Sequence, residues 1–293
     1  MDTQIALITG GTGGIGKEVA RGLASRNMHV TIVGRTRDKG QQAVRELRMA
    51  THNEHIDFIQ ADLSLMRDVE QVAQQFRDQH DRLDLLVHSA GVIYLKFDRT
   101  DEGLERNIAS SYLSRFLLTN LLLDLLQLSA PSRVINIAGS RGKGTIDLGH
   151  FNSPRYGGMR AHGQAQAAND AWTLEFARRV DGSGVQIAAL NPGAVDTDIR
   201  REFPQWSLAL LKFIFGRNAK TPSEGAELPL WLATAATDIN GKLFKPPYQQ
   251  ISVADSMRDF TKLRQVWDAS AQATHMEERL SRLLLLQTSN ADR

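Results

Sequence analysis

The run Thr9-Gly10-Gly11-Thr12-Gly13-Gly14-Ile15-Gly16 decides how this chain folds. An apolar stretch, Ile5-Ala6-Leu7-Ile8, precedes it, and a helical pattern, Lys17-Glu18-Val19-Ala20-Arg21-Gly22-Leu23-Ala24, follows it. Strand, glycine-rich turn and helix in that order are the context of a dinucleotide-binding turn. Gly10 permits the tight turn, Gly14 lets the backbone approach a pyrophosphate, and Gly16 lets the helix pack close to the strand. The helix N-terminus then turns N–H groups and the positive end of its dipole toward phosphates. Gly10, Thr12, Gly14, Ile15 and Gly16 are therefore candidate cofactor-binding residues.

The 293 residues suffice for one large α/β domain with a full core. The net charge of +2 carries no long run of one sign, which argues against nucleic acid as a partner. The chain has no cysteine, which excludes disulfides, thiolate metal sites and a cysteine nucleophile. No metal is expected, because the eight histidines are scattered and none forms an H-x-x-x-H pair. No apolar run approaches the roughly 20 residues that span a bilayer. The first strand begins almost at Met1, which leaves no room for a signal peptide, so a cytoplasmic location is expected.

Further apolar runs alternate with helical patterns. Strands are expected at Ile56–Ile59, Leu83–Val87, Arg133–Ile137, Val185–Leu190 and Gly241–Phe244, and helices at about Asp38–Ala50 and Leu65–Gln79. A long helix is expected from Thr100, where Thr100-Asp101-Glu102 supplies capping residues and first-turn acids. Thr221-Pro222-Ser223-Glu224 opens another, and two more are expected over 254–273 and 276–287. Strands alternating with helices predict a Rossmann-type, doubly wound parallel sheet in a single domain, residues 1–293, with a C-terminal helical tail over 274–293. A further strand, His29-Val30-Thr31-Ile32-Val33, ends in Gly34-Arg35. An acid at that point would bond the ribose 2′-hydroxyl of NAD, whereas an arginine suits the 2′-phosphate of NADP. Arg35 thus points to NADP(H), the alternative being a solvated loop charge.

The spacing T-G-x-x-x-G-I-G resembles the short-chain dehydrogenase/reductase family, and Phe116-Leu117-Leu118-Thr119-Asn120-Leu121-Leu122-Leu123-Asp124-Leu125-Leu126 is similar to its retinol-dehydrogenase-like branch. The resemblance spans about residues 3–270. It implies that Asp62 and Leu63 contact the adenine, although Asp62 or Ser64 also reads as a helix N-cap. Ala90 and Gly91, in His88-Ser89-Ala90-Gly91, match the family's N-N-A-G and line the cofactor path. Pro192, Gly193, Val195 and Thr197 match P-G-x-V-x-T, the loop that holds the nicotinamide carboxamide. The stretch 202–220 falls where the family places a substrate lid. Its apolar residues Trp206, Leu208, Leu210, Leu211, Phe213, Ile214 and Phe215 suit a small apolar substrate, a peripheral membrane contact beside basic neighbours, or ordinary packing. A homodimer through two long central helices is common in the family.

The likeness breaks at the chemistry. The family works through an asparagine, a serine, a tyrosine and a lysine. The corresponding positions here are Ser111, Gly139, with Ser140 one place later, His162 and Gln166, pinned by Ala161, Ala168 and Asn169. A free imidazole has a pKa near 6.5 and needs no lysine to reach neutrality. His162 and Ser140 are therefore candidate catalytic residues, and Gln166 a neutral partner for the nicotinamide ribose. Tyr156 and Arg160, spaced i and i+4, imitate a tyrosine/basic pair in the wrong register. Three functions follow: an NADP(H)-dependent oxidoreductase with altered proton delivery, a non-redox cyclase, isomerase or dehydratase, or a non-catalytic NADP(H)-binding regulatory protein.

Overall fold

The computed structural model describes residues 3–139, 142, 146–147, 158–197, 199, 202–203 and 219–291. Eight strands form one sheet in the order β3-β2-β1-β4-β5-β6-β7-β8. They are β1 (Ile5–Thr9), β2 (His29–Gly34), β3 (Ile56–Gln60), β4 (Leu85–His88), β5 (Ser132–Ile137), β6 (Val185–Leu190), β7 (Lys242–Lys245) and β8 (Gln249–Ile251). All neighbours run parallel except β7 and β8. The inner strands are nearly continuous apolar runs because helices cover both faces of a parallel sheet.

One face is covered by α1 (Gly14–Ala24), α2 (Arg37–Thr51) and α8 (Pro222–Thr234), whose Val19, Leu23, Leu47 and Leu232 pack on Ile8, Ile32 and Ile135. The other carries α3 (Met66–Gln79), α5 (Ser114–Leu121) and α7 (Met159–Arg179), where Phe76, Phe116, Trp172 and Phe176 form the second half of the core. Three short elements lead into and out of α5: α4 (Arg106–Ile108), a π-helical turn (Ala109–Leu113) and α6 (Leu123–Leu128). The chain ends in α9 (Phe260–Ala273) and α10 (Met276–Ala291). The tail packs on the body: Met276 and Leu283 are buried, and Arg279 pairs with Glu70 of α3. No helix among the described residues is long and apolar enough to cross a membrane.

Four local expectations are corrected. The long helix begins at Arg106 rather than Thr100, because Thr100–Glu105 close a tight turn, with the Leu104 N–H donating to Thr100 Oγ1 and an antiparallel bridge joining Arg99 to Glu105. Glu105 then caps the helix by accepting from the Ile108 N–H. Asp62 and Ser64 do not cap α3: Asp62 Oδ1 accepts from the Ser64 N–H at 3.0 Å, and the first α3 N–H groups donate to Glu102 instead. The final helical stretch 254–273 is regular only from Phe260, after a 3₁₀ turn. The hairpin strand β8 was not expected, since Gln249-Gln250-Ile251 shows no apolar alternation. The start of α8 follows the sequence closely: the Thr221 N–H donates to Glu224 Oε2 at 2.7 Å, and the Glu224 N–H donates to Thr221 Oγ1 at 3.2 Å, a reciprocal capping box.

Candidate functional site

The sheet connection reverses between β1 and β4, and ligands of such folds bind beyond the strand ends at that switch point. A cavity of about 730 Å³ opens there. Its walls are the β1–α1 turn, the ends of β2, β3, β4 and β5, the loop after β6 and one face of α7.

Two glycines of the turn have separate steric reasons. Gly10 sits at φ +70°, and a side chain there would meet the Ala90 backbone at 2.8 Å. A Cβ on Gly16 would stand 2.4 Å from the Gly10 carbonyl oxygen, so α1 approaches the turn as closely as it does only with glycine. No side chain caps α1, whose N-cap is Gly13. Its first N–H groups face the cavity through Gly14 and Ile15, an arrangement suited to anions.

Of the residues singled out in the sequence, Gly10, Thr12, Gly14, Ile15, Arg35, Asp62, Leu63, Ala90, Gly91, His162, Gln166, Pro192, Gly193, Val195 and Thr197 all line this cavity. Gly16 stands behind the turn and shapes it from outside. Ser140, Tyr156 and most of the stretch 202–220 lie outside the described residues. At the end of β2, Arg35 and Lys39 supply positive charge, and Arg35 Nη1 donates to the Tyr94 hydroxyl at 3.3 Å. Lys17 pairs with Glu46 on the same wall, and that pairing holds the Glu46 carboxyl below its ordinary range.

At the far end, the loop Asn191–Thr197 is fixed from three sides. Asn191 Nδ2 donates to the Gly139 carbonyl at 3.0 Å, Val195 bridges to Lys220, and the Thr197 side chain abuts Gly14. Across from it, α7 presents His162, Gln166 and Asp170 at i, i+4 and i+8. Gln166 Oε1 accepts from the Gly139 N–H at 2.7 Å, which orients the amide so that Gln166 Nε2 lies 3.3 Å from His162 Nε2. An amide nitrogen only donates, so His162 Nε2 is the acceptor and the neutral ring carries its proton on Nδ1. Asp170 is buried and accepts from the Gly142 N–H at 3.0 Å. A Cβ at Gly139, whose φ is +122°, would lie 2.6 Å from Asp170 Oδ1, so this position has no room for a side chain.

The sequence reading did not single out Arg115. It lies one turn beyond Ser111, is 3 % exposed and lines the cavity. Its guanidinium donates to Asn136 Oδ1, to the Ile137 carbonyl at 3.0 Å and to the Ala90 carbonyl at 2.7 Å. Burial lowers its pKa to about 9, which leaves it charged at neutral pH. Ser111 is carried on the π-helical turn, its carbonyl accepts from Asn169 Nδ2, and its buried hydroxyl has no partner among the described residues. The available signal was a lone arginine inside an otherwise apolar helical stretch.

Comparison with known proteins agrees with this architecture. The short chain dehydrogenase family matches residues 4–208. Human retinol dehydrogenase 13 is 32% identical over 283 residues, covering 94% of this chain and 85% of that protein. Mouse retinol dehydrogenase 11 is 33% identical over 273 residues, covering 91% and 85%. Among solved structures, an uncharacterised protein from Mycobacterium paratuberculosis superposes with a TM-score of 0.74 at 26% identity, over 93% of each chain. The Pseudomonas aeruginosa RhlG/NADP active-site complex superposes at 0.67 with 28% identity, over 83% of this chain and 94% of that one. With the sheet order, the glycine turn and these relatives in agreement, the chain belongs to the short-chain dehydrogenase family of NAD(P)(H)-using oxidoreductases, in its retinol-dehydrogenase-like branch.

Proposed function

We propose that the chain is an NADP(H)-dependent oxidoreductase of a small apolar molecule in which His162 has taken over proton delivery. The observation that carries the reading is the hydrogen-bonded series Gly139–Gln166–His162 on the wall of the cofactor-shaped cavity. The cavity fits a dinucleotide: a cradle that any Cβ would fill at Gly10 and Gly16, an uncapped helix N-terminus, and Arg35 with Lys39 where a 2′-phosphate would lie. Asp62 and Leu63 would hold the adenine end, Ala90 and Gly91 would line the cofactor path, and Pro192, Gly193, Val195 and Thr197 would hold the nicotinamide end. When bound, the nicotinamide supplies hydride exchange.

The chain's own residues supply the rest. Gln166, fixed by the Gly139 N–H, holds the imidazole in its Nδ1–H form; Nδ1 is itself buried, so it would act as proton donor only to a substrate oxygen or nitrogen seated directly against the ring. Gln166 stands at the family's lysine position. A lysine there would place a second cation beside the ring and disfavour its charged form, so the neutral amide suits a histidine acid. Gly139, at the family's serine position, holds the loop through its backbone alone. The seven bulky apolar residues of 206–215 are the ground for an apolar substrate.

The test is NADPH consumption on mixing with aldehydes, ketones, imines and activated alkenes. Turnover with one class, lost in His162→Gln at unchanged NADPH affinity, is expected. Conversion without cofactor would favour a non-redox lyase or isomerase, and no conversion by any route would leave a cofactor-binding regulatory protein.

A further inference from the structure

Arg115 is buried at the base of the cavity, and its hydrogen-bond partners are all uncharged: one amide and two carbonyl oxygens. Among the described residues no carboxylate forms an ion pair with it. The cavity's own acids, Glu46 and Asp62, stand with Lys17 at the α1, α2 and β3 walls. Asp170 lies behind Gly139, outside the lining, with its carboxylate on the Gly142 N–H. The charge of Arg115 is felt nearby: after burial itself, it is the second cause holding His88 well below the ordinary imidazole range. Its Nη2 lies 3.7 Å, and the Ser111 hydroxyl 3.8 Å, from the point where a Cβ on Gly91 would sit. The guanidinium thus meets the cavity beside Gly91, and its bond to the Ile137 carbonyl sets it two residues from Gly139, at the end of the cavity where His162 and Gln166 stand.

We propose that Arg115 makes this site select the reduced cofactor over the oxidised one. The oxidised nicotinamide ring carries a positive charge and the reduced ring carries none. A buried cation without a carboxylate repels the first and leaves the second unaffected. The remainder of the dinucleotide is identical in both forms, so Arg35, Lys39 and the α1 N-terminus contribute equally to each. A unit charge acting at about 10 Å through an effective dielectric of about 20 shifts an equilibrium by roughly tenfold or more. The inference rests on the cofactor reading given above.

Titration of the full chain with NADPH and with NADP⁺, by intrinsic fluorescence quenching, tests it. NADPH is expected to bind about tenfold or more tightly than NADP⁺. Raising the salt concentration should weaken both without closing the gap, because a buried charge escapes ionic screening. Arg115→Met should bring the two affinities together, while Arg115→Lys, which keeps the charge, should retain the preference. Equal affinities in the wild type, or an unchanged ratio in a folded Arg115→Met, would overturn the proposal. If Arg115→Met does not fold, the wild-type ratio and its salt dependence still decide. Failure of both cofactor forms to bind would instead sink the cofactor reading.

Discussion

The two ends of the cavity are built on different principles. At the β1–α1 turn the backbone does the work. Gly10 and Gly16 exist because neighbouring backbone atoms stand 2.8 and 2.4 Å from where a Cβ would be. At the other end side chains do the work, and they are connected to one another: His162 to Gln166, Gln166 to Gly139, Gly139 to Asn191, and Asp170 to Gly142. The backbone cradle tolerates almost no change and therefore keeps the signature of its family. The side-chain end can be rebuilt when several residues change together. The small Gly139 accommodates Asp170, and the neutral Gln166 accommodates His162.

The largest effect on stability and cofactor binding together is expected at Gly16. Gly16→Ala drives a methyl into the Gly10 carbonyl, which must move α1 away from the turn. Overpacking of this kind costs about 1–3 kcal/mol. Calorimetry should show a melting temperature lower by several degrees, and NADPH affinity should fall by roughly a hundredfold. If Gly16→Ala binds as the wild type does, the backbone cradle is not the cofactor site.

At the side-chain end, His162→Gln should lower turnover by about 10²–10⁴-fold. Its NADPH dissociation constant should stay within about threefold of the wild type. Equal losses in both measurements would erase the distinction between the two ends.

A smaller effect follows from His88, beneath the β4 end of the cavity, where its Nε2 meets Thr119 Oγ1 at 2.8 Å. Burial first, and then Arg115, hold this imidazole well below its ordinary range. The unfolded chain takes up a proton near pH 6.5 and the folded chain does not. The unfolded state therefore binds the extra proton. Stability is at its full value above pH 6.5 and falls below it by about 1.4 kcal/mol per pH unit, until the lowered folded pKa is reached. His80, lowered mainly by burial, adds a slope of the same sign. Urea denaturation between pH 7 and pH 5 should show a shallower slope in His88→Asn than in the wild type.

The smallest effect lies outside the cavity. Glu102→Ala removes the carboxylate that accepts from the first N–H groups of α3. It should cost about 1 kcal/mol in stability with cofactor affinity unchanged. A loss of binding in that variant would mean that the two ends are coupled through the α3 side of the sheet.

These differences also explain what was legible in the sequence. The glycine run, the buried strands and the Thr221–Glu224 capping box each carry a local steric or hydrogen-bonding requirement, so residue type and spacing reveal them. Fifteen of the residues named beforehand converge on one cavity because the parallel sheet brings all the strand ends to one edge. The β8 strand was hidden because its exposed Gln249 and Gln250 follow no apolar pattern. The onset of the central helix was misplaced because Glu105, an uncommon capping residue, serves in place of Thr100. Arg115 and Asp170 were missed because their meaning is tertiary. A charge within an apolar or alanine-rich helix declares itself only when the opposing backbone, Ala90 for one and Gly139 for the other, is seen beside it.

The central claim is that a retained cofactor cradle has been joined to a rebuilt proton-delivery end. Calorimetric titration of wild type and His162→Gln with NADPH and NADH tests it most directly. The account predicts micromolar NADPH binding, NADH weaker by about tenfold or more through Arg35, and the same values in the variant. Absence of binding by either cofactor, or NADPH affinity that collapses with His162, would contradict it.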